Sequence, residues 1–429
     1  MLLHPRLTAL FKGLDEASVS WCLLRIPSEP ASPRGDVDLL IEPSHVNAVR
    51  HVLLSQGFIP VPGWTGLPDM LWVDFDELTG CFLVLEITDE IVFGPGGRQR
   101  TNERAGGLAR RRQDGAFWRL DDDDGFWALL LHCLLDRGFV PDHYKQRLQS
   151  MAAIARTDGP FGRILASLDA DMPAQLRDAA LLGTWSQLQA LASAVSRKWT
   201  AQLRSTQRLR PFLVRTRRLV RAPLLVRRRR GVSVALLGLN GAGKSTLVKR
   251  MGEAFPFPVT KIYMGLWKSG DAGSSERSLI APLMRPFRAW CSYLTGLCAQ
   301  LLGHLVIFDR YVYDARLPPE PPLLQLKRAY MWALARSVPP PELVFLLDIP
   351  GIVATQRKDE RTQAQNEAER LEYLALAARI PRIRVIDASS EPTAICASAL
   401  SLVWDCYRRR WLATKAGATE LRQAQEVPW

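Results

Sequence analysis

The chain has 429 residues and a formal net charge of +13, with 47% apolar and 23% charged residues. Such a composition is typical of a globular protein with a sizeable core, and the length favours two or three domains. The seven cysteines include no C-x-x-C pair, and the amino terminus has no secretory signal pattern. The sequence therefore predicts a cytoplasmic protein and excludes a disulfide framework or a structural zinc site.

The first 120 residues alternate short apolar runs with turn signals. These runs predict strands over 37–41, 71–75 and 82–87, and a helix over 46–56 that Gly57 ends. Asp36 and Asp38 alternate along the first strand, so their side chains share one face, and Glu86 offers a third carboxylate from a neighbouring strand. Carboxylates placed in this way suit two Mg²⁺ ions for nucleotidyl transfer. The alternative is a strand with exposed carboxylates and no metal.

From about residue 18 to 140, this pattern resembles the nucleotidyltransferase superfamily. The resemblance implies an α+β nucleotidyltransferase-like domain over 1–123 and a helical extension over 124–196, which begins with a helix at 126–135. Two features depart from the family pattern. A Pro- and Ser-rich segment at 25–33 replaces the usual Gly-Ser turn, and Glu86 stands where Asp is commoner.

The positive charge is concentrated in one segment. Between Arg197 and Arg230 the sequence has thirteen Lys or Arg and no acidic residue, so the rest of the chain is close to neutral. Apolar residues between the arginines, with breaks at Pro211 and Pro223, fit an amphipathic basic helix. This predicted linker, 197–230, has two interpretations. It is either a surface for a polyanion such as anionic lipid or nucleic acid, or a solvated helix in which the aliphatic parts of the Lys and Arg side chains cover apolar surface.

The sequence from Gly238 to Thr246 fits the G-x-x-x-x-G-K-[ST] pattern of a phosphate-binding loop. A predicted strand at 232–237 precedes it and a predicted helix at 246–254 follows it, as this loop requires. Glycines let backbone N–H groups surround phosphate oxygens, a lysine reaches the β- and γ-phosphates, and a serine hydroxyl ligates Mg²⁺. The residues expected to bind a nucleoside triphosphate are Gly238, Asn240, Gly241, Ala242, Gly243, Lys244, Ser245 and Thr246, with Ser245 also on the metal.

The stretch 289–308 contains no charged residue and is long enough to cross a bilayer. Several polar side chains dilute it, and Gly303 is typical of a helix end before a separate strand at 305–308. The sequence therefore predicts a buried helix followed by a buried strand, with no transmembrane segment.

Two later strands end in aspartate, at Asp309 and Asp348. A carboxylate at the carboxyl end of a buried strand beside a phosphate loop can hold Mg²⁺. Asp309 is favoured because Arg310 follows it, and a metal carboxylate beside a phosphate-binding arginine is what phosphoryl transfer between two anions requires. Asp348 precedes Ile349-Pro350-Gly351, which is more typical of a strand exit.

Residues 355–370, here called the lid segment, carry Arg357, Lys358, Arg361 and Arg370 among acidic and Gln residues. One interpretation is a solvated helix face with ion pairs four residues apart. The other, favoured on an α/β scaffold, is a lid whose arginines fold over the transferring phosphates.

These motifs occur in an order that resembles thymidylate kinases over roughly residues 231–405. The matching pieces are the phosphate loop, 308–311, 346–350, the arginines at 357–361, Tyr373 and 385–388. The resemblance implies a nucleoside-monophosphate-kinase fold over 231–412, before a flexible tail at 413–429. It implies ATP and Mg²⁺ as cofactors, Asp309 near the metal and the acceptor, and Arg310 on the acceptor phosphate. Arg357 or Arg361 would stabilise the transferred charge.

The acceptor side departs from that family. An Arg-Glu-Pro motif is usual after the second strand, whereas this chain has Lys261 to Trp267, and the usual Ser and Ala-Tyr-Gln after 309–311 are replaced by Val312-Tyr313-Asp314 and a Pro-rich run. The acceptor is therefore dTMP, another nucleotide or a different small metabolite.

Homodimers are common among such kinases, so a homodimer is a further expectation, although no residue marks an interface.

Two other function classes share features with this sequence. Transporter-type ATPases share the loop, but they need an LSGGQ-like signature and a strand that ends in Asp-Glu, and this chain has neither. A nucleotide-gated binding module, which hydrolyses ATP slowly and uses the basic linker to bind a polyanion, remains an alternative to the kinase.

Overall fold

The computed structural model describes residues 3–27, 29–33, 35–61, 71–95, 97–203, 231–265, 280–316, 324–358 and 360–413. The chain divides into two compact units, one built mainly from residues 3–203 and the other mainly from residues 231–413. The amphipathic helix predicted near 209–225, the Pro-rich run and the tail lie outside the described residues. The predictions made for them, including the polyanion contact, stay predictions.

A mixed seven-stranded sheet forms the centre of the first unit. The strands of this unit are β1 (Trp21–Leu23), β2 (Asp36–Ile41), β3 (Ile59–Pro60), β4 (Leu71–Asp76), β5 (Cys81–Thr88), β6 (Val92–Phe93), β7 (Gln99–Arg100), β8 (Arg112–Asp114) and β9 (Phe117–Arg119). The large sheet has the order β3-β4-β5-β2-β1-β9-β8, and β6 pairs with β7 separately. The three predicted strands are confirmed, and β2 lies parallel to β5.

Eight α-helices accompany this sheet among the described residues. They are α1 (Pro5–Glu16), α2 (Val46–Ser55), α3 (Arg104–Arg110), α4 (Asp122–Leu131), α5 (Asp142–Ala152), α6 (Pro160–Leu168), α7 (Met172–Leu181) and α8 (Trp185–Gln202). Asp121 caps α4, since its carboxylate accepts the Asp124 N–H at 2.8 Å. The predicted helix at 126–135 is confirmed, but its second half is a π-helix, His132–Arg137, which ends at Gly138 with φ 79°. Because α8 continues to Gln202, the predicted linker begins inside a helix.

The helices from α4 onward share one apolar core. Its fully buried members include Phe126, Trp127, Leu130, Phe161, Leu165, Leu176 and Leu188. The indole N–H of Trp127 donates to the Arg156 carbonyl at 3.0 Å, so the largest of these side chains has its polar atom satisfied. Burial of each large apolar side chain contributes about 2 kcal/mol, which explains why this helical region is compact.

The second unit contains a five-stranded sheet. Its strands are β10 (Ser233–Gly238), β11 (Val259–Tyr263), β12 (Leu305–Asp309), β13 (Leu343–Asp348) and β14 (Ile383–Asp387), in the order β11-β12-β10-β13-β14. All neighbouring strands are parallel, which confirms the predicted parallel α/β architecture. The carboxyl ends of β10, β12 and β13 therefore lie at the same edge of the sheet.

Helices flank this sheet. They are α9 (Lys244–Ala254), α10 (Ile280–Leu301), α11 (Leu324–Leu334), α12 (Gly351–Arg357), α13 (Gln363–Arg379) and α14 (Pro392–Leu412). The helix predicted after the phosphate loop is confirmed and begins two residues earlier than predicted. A capping box begins α13, in which Thr362 Oγ1 accepts the Gln365 N–H and the Gln365 side chain accepts the Thr362 N–H.

Over 289–308, the prediction of a buried strand after a helix is confirmed, but the prediction that the helix is buried is only partly right. Gly303, with φ 92°, follows α10, and β12 begins at Leu305, as expected. The helix itself is buried on one side only, because Phe287, Trp290 and Leu294 are 62%, 41% and 49% exposed. A helix on a sheet covers the sheet with one stripe, so a lack of charge does not make the other stripe buried. Among the helices that the structure describes, none has the length and hydropathy to span a membrane.

Candidate active site

The phosphate loop connects the central strand β10 to α9. Gly238 has φ 130°, and a Cβ there would lie 2.5 Å from the Leu347 carbonyl oxygen, so the loop can leave the sheet only with glycine at this position. Gly243 has φ 90° immediately before the first residue of α9. The N–H groups of the loop and of the first helical turn are therefore directed to one place, as anion binding at a helix N-terminus requires.

Lys244 is the first residue of that helix, and its ammonium group lies inside the loop. The Nζ atom donates to the Gly238 carbonyl at 2.9 Å and to the Leu239 carbonyl at 2.8 Å. Burial, followed by the nearby Arg310 guanidinium, lowers the pKa of Lys244 to about 8. Ser245 and Thr246 follow at the exposed start of the helix, whereas Ala242 is buried.

Asp309 ends β12 beside the phosphate loop, since it is paired in register with Leu236 of β10. Within the part of the chain that the structure describes, its carboxylate accepts no hydrogen bond and forms no ion pair. Asp348 differs, because it binds Arg370 through two bonds of 2.6 and 2.9 Å. Of these two aspartates, Asp348 is therefore the one held in an ion pair, and the role of Asp309 at a metal stays a prediction.

Arg310 adopts φ 66°, a left-handed conformation that is rare for a side chain of this size. This turn places its guanidinium group against the phosphate loop, where Nη2 donates to Asn240 Oδ1. The Nη1 atom lies 3.3 Å from Asp314 Oδ2. Asp314 also accepts a 3.0 Å bond from the Tyr373 hydroxyl, and burial raises the pKa of this carboxyl although Arg310 opposes the shift.

The lid segment comprises the end of α12, the connection to α13 and the first residues of α13. Arg357 lies over the phosphate loop and donates to the Gly241 carbonyl at 3.4 Å. Arg361 pairs with Glu369 and is 47% exposed. The interpretation of Arg370 as a lid arginine is wrong, because it lies in α13 and its donors are taken by Asp348 and Glu367.

Most predicted residues of the phosphate site are therefore close together. Sequence reasoning missed the roles of Asp314 and Glu360. Asp314 follows Arg310 by four residues, a spacing at which side chains meet on a helix, and this signal was present in the sequence. Glu360 accepts a bond from Asn240 at 2.9 Å, and no local pattern predicts that contact.

The first unit contains a separate carboxylate cluster. Glu86 lies on β5, a neighbouring strand as predicted, where it is in register with Asp38 of β2, and Arg25 Nη2 lies 2.5 Å from Asp38 Oδ2. Burial, then Asp38 and Asp36, raise the pKa of Glu86 to about 7, and burial followed by Asp38 raises that of Asp36. Over the described ranges, no three acidic, His or Cys residues are arranged to hold a metal ion, so the metal role of Asp36, Asp38 and Glu86 stays a prediction.

A parallel sheet flanked by helices, with a phosphate loop at its central strand, fits the fold of a phosphate-loop kinase. No protein-family model matches the chain. It is 30% identical over 207 residues to a thymidylate kinase from Xylella fastidiosa strain M23. The matched stretch covers 42% of this chain and 90% of that protein. The thymidylate kinase from strain 9a5c is 31% identical over 217 residues, 44% of this chain and 98% of that protein.

The chain belongs to the thymidylate kinase family, and the matched stretch amounts to less than half of its length. The similarity supports a phosphotransferase role for this region.

Proposed function

We propose that the second unit transfers a phosphoryl group from ATP to a nucleoside monophosphate, dTMP or a related small acceptor. One observation carries this proposal. Asp309 is the last residue of β12, a strand paired with β10, and Arg310, which directly follows it, contacts Asn240 in the phosphate loop. A carboxylate, an arginine and the loop lysine at one sheet edge form the set of groups that two phosphorylated substrates require.

The residues present suit ATP and Mg²⁺. Gly243, with φ 90° and open space where a Cβ would stand, lets the loop turn directly into α9, and the N-terminus of a helix suits a phosphate group. The Ser245 hydroxyl and the Asp309 carboxylate, which is unpaired among the described residues, would supply oxygen ligands, which Mg²⁺ prefers. Bound there, Mg²⁺ neutralises charge on the β- and γ-phosphates.

Catalysis would then consist mainly of positioning and charge neutralisation. We assign Lys244 to the donor phosphates. To bind them, its ammonium group would leave the hydrogen bonds that it donates to the Gly238 and Leu239 carbonyls. Arg310 would bind the acceptor phosphate. Arg357 already lies at the loop, and Arg361 is exposed enough to leave Glu369, so these two side chains are assigned to the transferred charge.

A panel of candidate acceptors tests which one receives the phosphoryl group. ADP release from ATP and Mg²⁺ should be measured with dTMP, other nucleoside monophosphates, sugar phosphates and no acceptor. We expect one acceptor class to stimulate release at least tenfold above the rate without acceptor. If no acceptor stimulates release while ATP still binds, the kinase proposal fails and the nucleotide-gated module becomes the better explanation.

A second candidate function, nucleotidyl transfer by the first unit, is favoured by one observation. Asp38 and Glu86 are paired across adjacent parallel strands, and Asp36 lies two residues earlier on the same strand. With α-labelled ATP and Mg²⁺ or Mn²⁺, the phosphoryl transfer proposed above leaves the label on ADP, whereas nucleotidyl transfer moves it to an acceptor. We expect such labelling to be lost in the Asp36→Ala/Asp38→Ala double variant and kept in Asp89→Ala. Labelling that survives the double variant would exclude this function.

A further inference from the structure

Asn240 in the phosphate loop contacts two charged side chains at once. Its Oδ1 atom accepts a bond from Arg310 Nη2, and its Nδ2 atom donates to Glu360 Oε2 at 2.9 Å. Arg310 follows β12 by one residue, whereas Glu360 belongs to the lid segment. The carboxamide therefore connects the arginine assigned to the acceptor with the lid.

A carboxamide satisfies both partners. The guanidinium group can only donate, and the carboxylate can only accept, so the group between them must present one acceptor and one donor. Aspartate would accept from Arg310 but repel Glu360, and alanine would bind neither. The residue type at 240 is thus matched to both of its neighbours.

The lid approaches the phosphate loop at further points. Gly241 lies so close to α12 that a Cβ there would be 3.1 Å from the Ala354 carbonyl oxygen. Arg357 donates to the Gly241 carbonyl at 3.4 Å. The second carboxylate oxygen of Glu360, Oε1, forms an ion pair with Lys358 Nζ at 3.0 Å, and this pair orients the carboxylate. The bond between Asn240 and Glu360 is therefore part of a continuous contact between the loop and the lid.

We propose that Asn240 is a positioning residue that couples Arg310 to the lid, so that the orientation of the acceptor-side arginine and the docking of the lid depend on each other. This inference rests on the proposed function of the site. Coupling of this kind is reciprocal, so a change at the lid must alter acceptor binding, and a change at Arg310 must alter the lid. Glu360 is the informative position, because its bond is to Asn240 and not to Arg310.

Replacing Glu360 with Ala removes the lid-side partner of Asn240 and leaves the loop sequence intact. We expect the acceptor KM to rise about tenfold with a smaller change in kcat, since a charge-assisted bond is lost. We also expect trypsin to cut the lid segment about tenfold faster in the full chain with ATP absent. Glu391→Ala, an exposed acidic position at the start of α14, is the matched control and should change neither quantity.

Comparing a single variant at Asn240 with a double variant at Asn240 and Glu360 tests the bond between these two side chains directly. Asn240→Asp places two carboxylates together and should expose the lid to trypsin as Glu360→Ala does. In the Asn240→Asp/Glu360→Gln double variant, the glutamine amide can donate to the new carboxylate, so lid cleavage should return to within about twofold of the parent chain. Asn47→Asp, which adds the same charge on α2, is the control for charge alone.

The proposal is overturned if the double variant is cut as fast as Asn240→Asp, or if Glu360→Ala frees the lid without raising the acceptor KM. Glu360 is half-exposed, so its replacement does not endanger folding even if a change at 240 does. Lid cleavage does not depend on turnover. A chain without acceptor-stimulated ADP release would thus contradict the proposed function, while the cleavage pattern still tests the coupling.

Discussion

Lys244→Ala should lower acceptor-stimulated ADP release by roughly a thousandfold, because it removes the half-buried cation that we assign to the donor phosphates. Coupled-enzyme measurement of ADP at saturating acceptor checks this. The matched control is Lys249→Ala, on the same helix, whose side chain is 76% exposed and forms only a 4.0 Å pair with Glu253. Turnover in Lys244→Ala comparable to that of the control would remove the basis of the kinase assignment.

The same lysine also predicts a pH dependence. Its pKa of about 8 lies below the ordinary lysine value, so the free chain loses this positive charge as the pH rises through 8. ATP binds the protonated form, hence ATP affinity should fall about tenfold per pH unit above that value. Lys244→Arg keeps its charge throughout this range, so its affinity should change little with pH. Isothermal titration at pH 7 to 9.5 distinguishes the two profiles.

Local sequence patterns predict the donor side of the site because its residues are consecutive. The strand, the glycines and the helix that positions Lys244 follow one another from Ser233 to Ala254, and each has a residue preference with a local cause. The ends of β12 and β13 are predictable for the same reason, since each is an apolar run that stops at an aspartate. Parallel pairing then brings these ends to one edge.

The contacts that orient the site are not local, and the sequence does not predict them. Asn240 and Glu360 are 120 residues apart, and Tyr373 is 59 residues from the Asp314 carboxylate that accepts its hydroxyl bond. In the sequence, only the residues that follow the two strand-end aspartates distinguish them. The folded chain adds that Asp348 is bound by Arg370, whereas the Asp309 carboxylate has no such partner among the described residues.

The exposed face of α10 was also not predictable from local sequence. Absence of charge over 289–308 indicates low polarity, but it does not say which residues face the sheet. Ala289 is buried and its neighbour Trp290 is 41% exposed, so adjacent apolar residues have different environments. Burial depends on which helix face contacts another element, and that follows from packing rather than from composition.

Arg310→Ala should raise the acceptor KM about a hundredfold while ATP affinity changes little, because Arg310 is assigned to the acceptor phosphate and Lys244 to the donor. Loss of one partner of a largely buried charged pair costs about 3 kcal/mol, which corresponds to that factor. Initial-rate kinetics with each substrate varied in turn measures the two effects separately. Arg379→Ala, at the exposed end of α13, should leave both constants unchanged.

Arg310 also faces Asp314, whose side chain is only 11% exposed, so its loss leaves a buried carboxylate without its cation. Arg310→Lys separates binding from this structural cost. It keeps a positive charge near Asp314 but offers the acceptor phosphate a single ammonium group in place of a planar fork, so its KM should lie between those of the parent chain and Arg310→Ala. An unchanged acceptor KM in both variants, with ATP binding intact, would show that the acceptor phosphate binds elsewhere. Equal losses for both substrates would instead indicate that the arginine maintains the loop through Asn240.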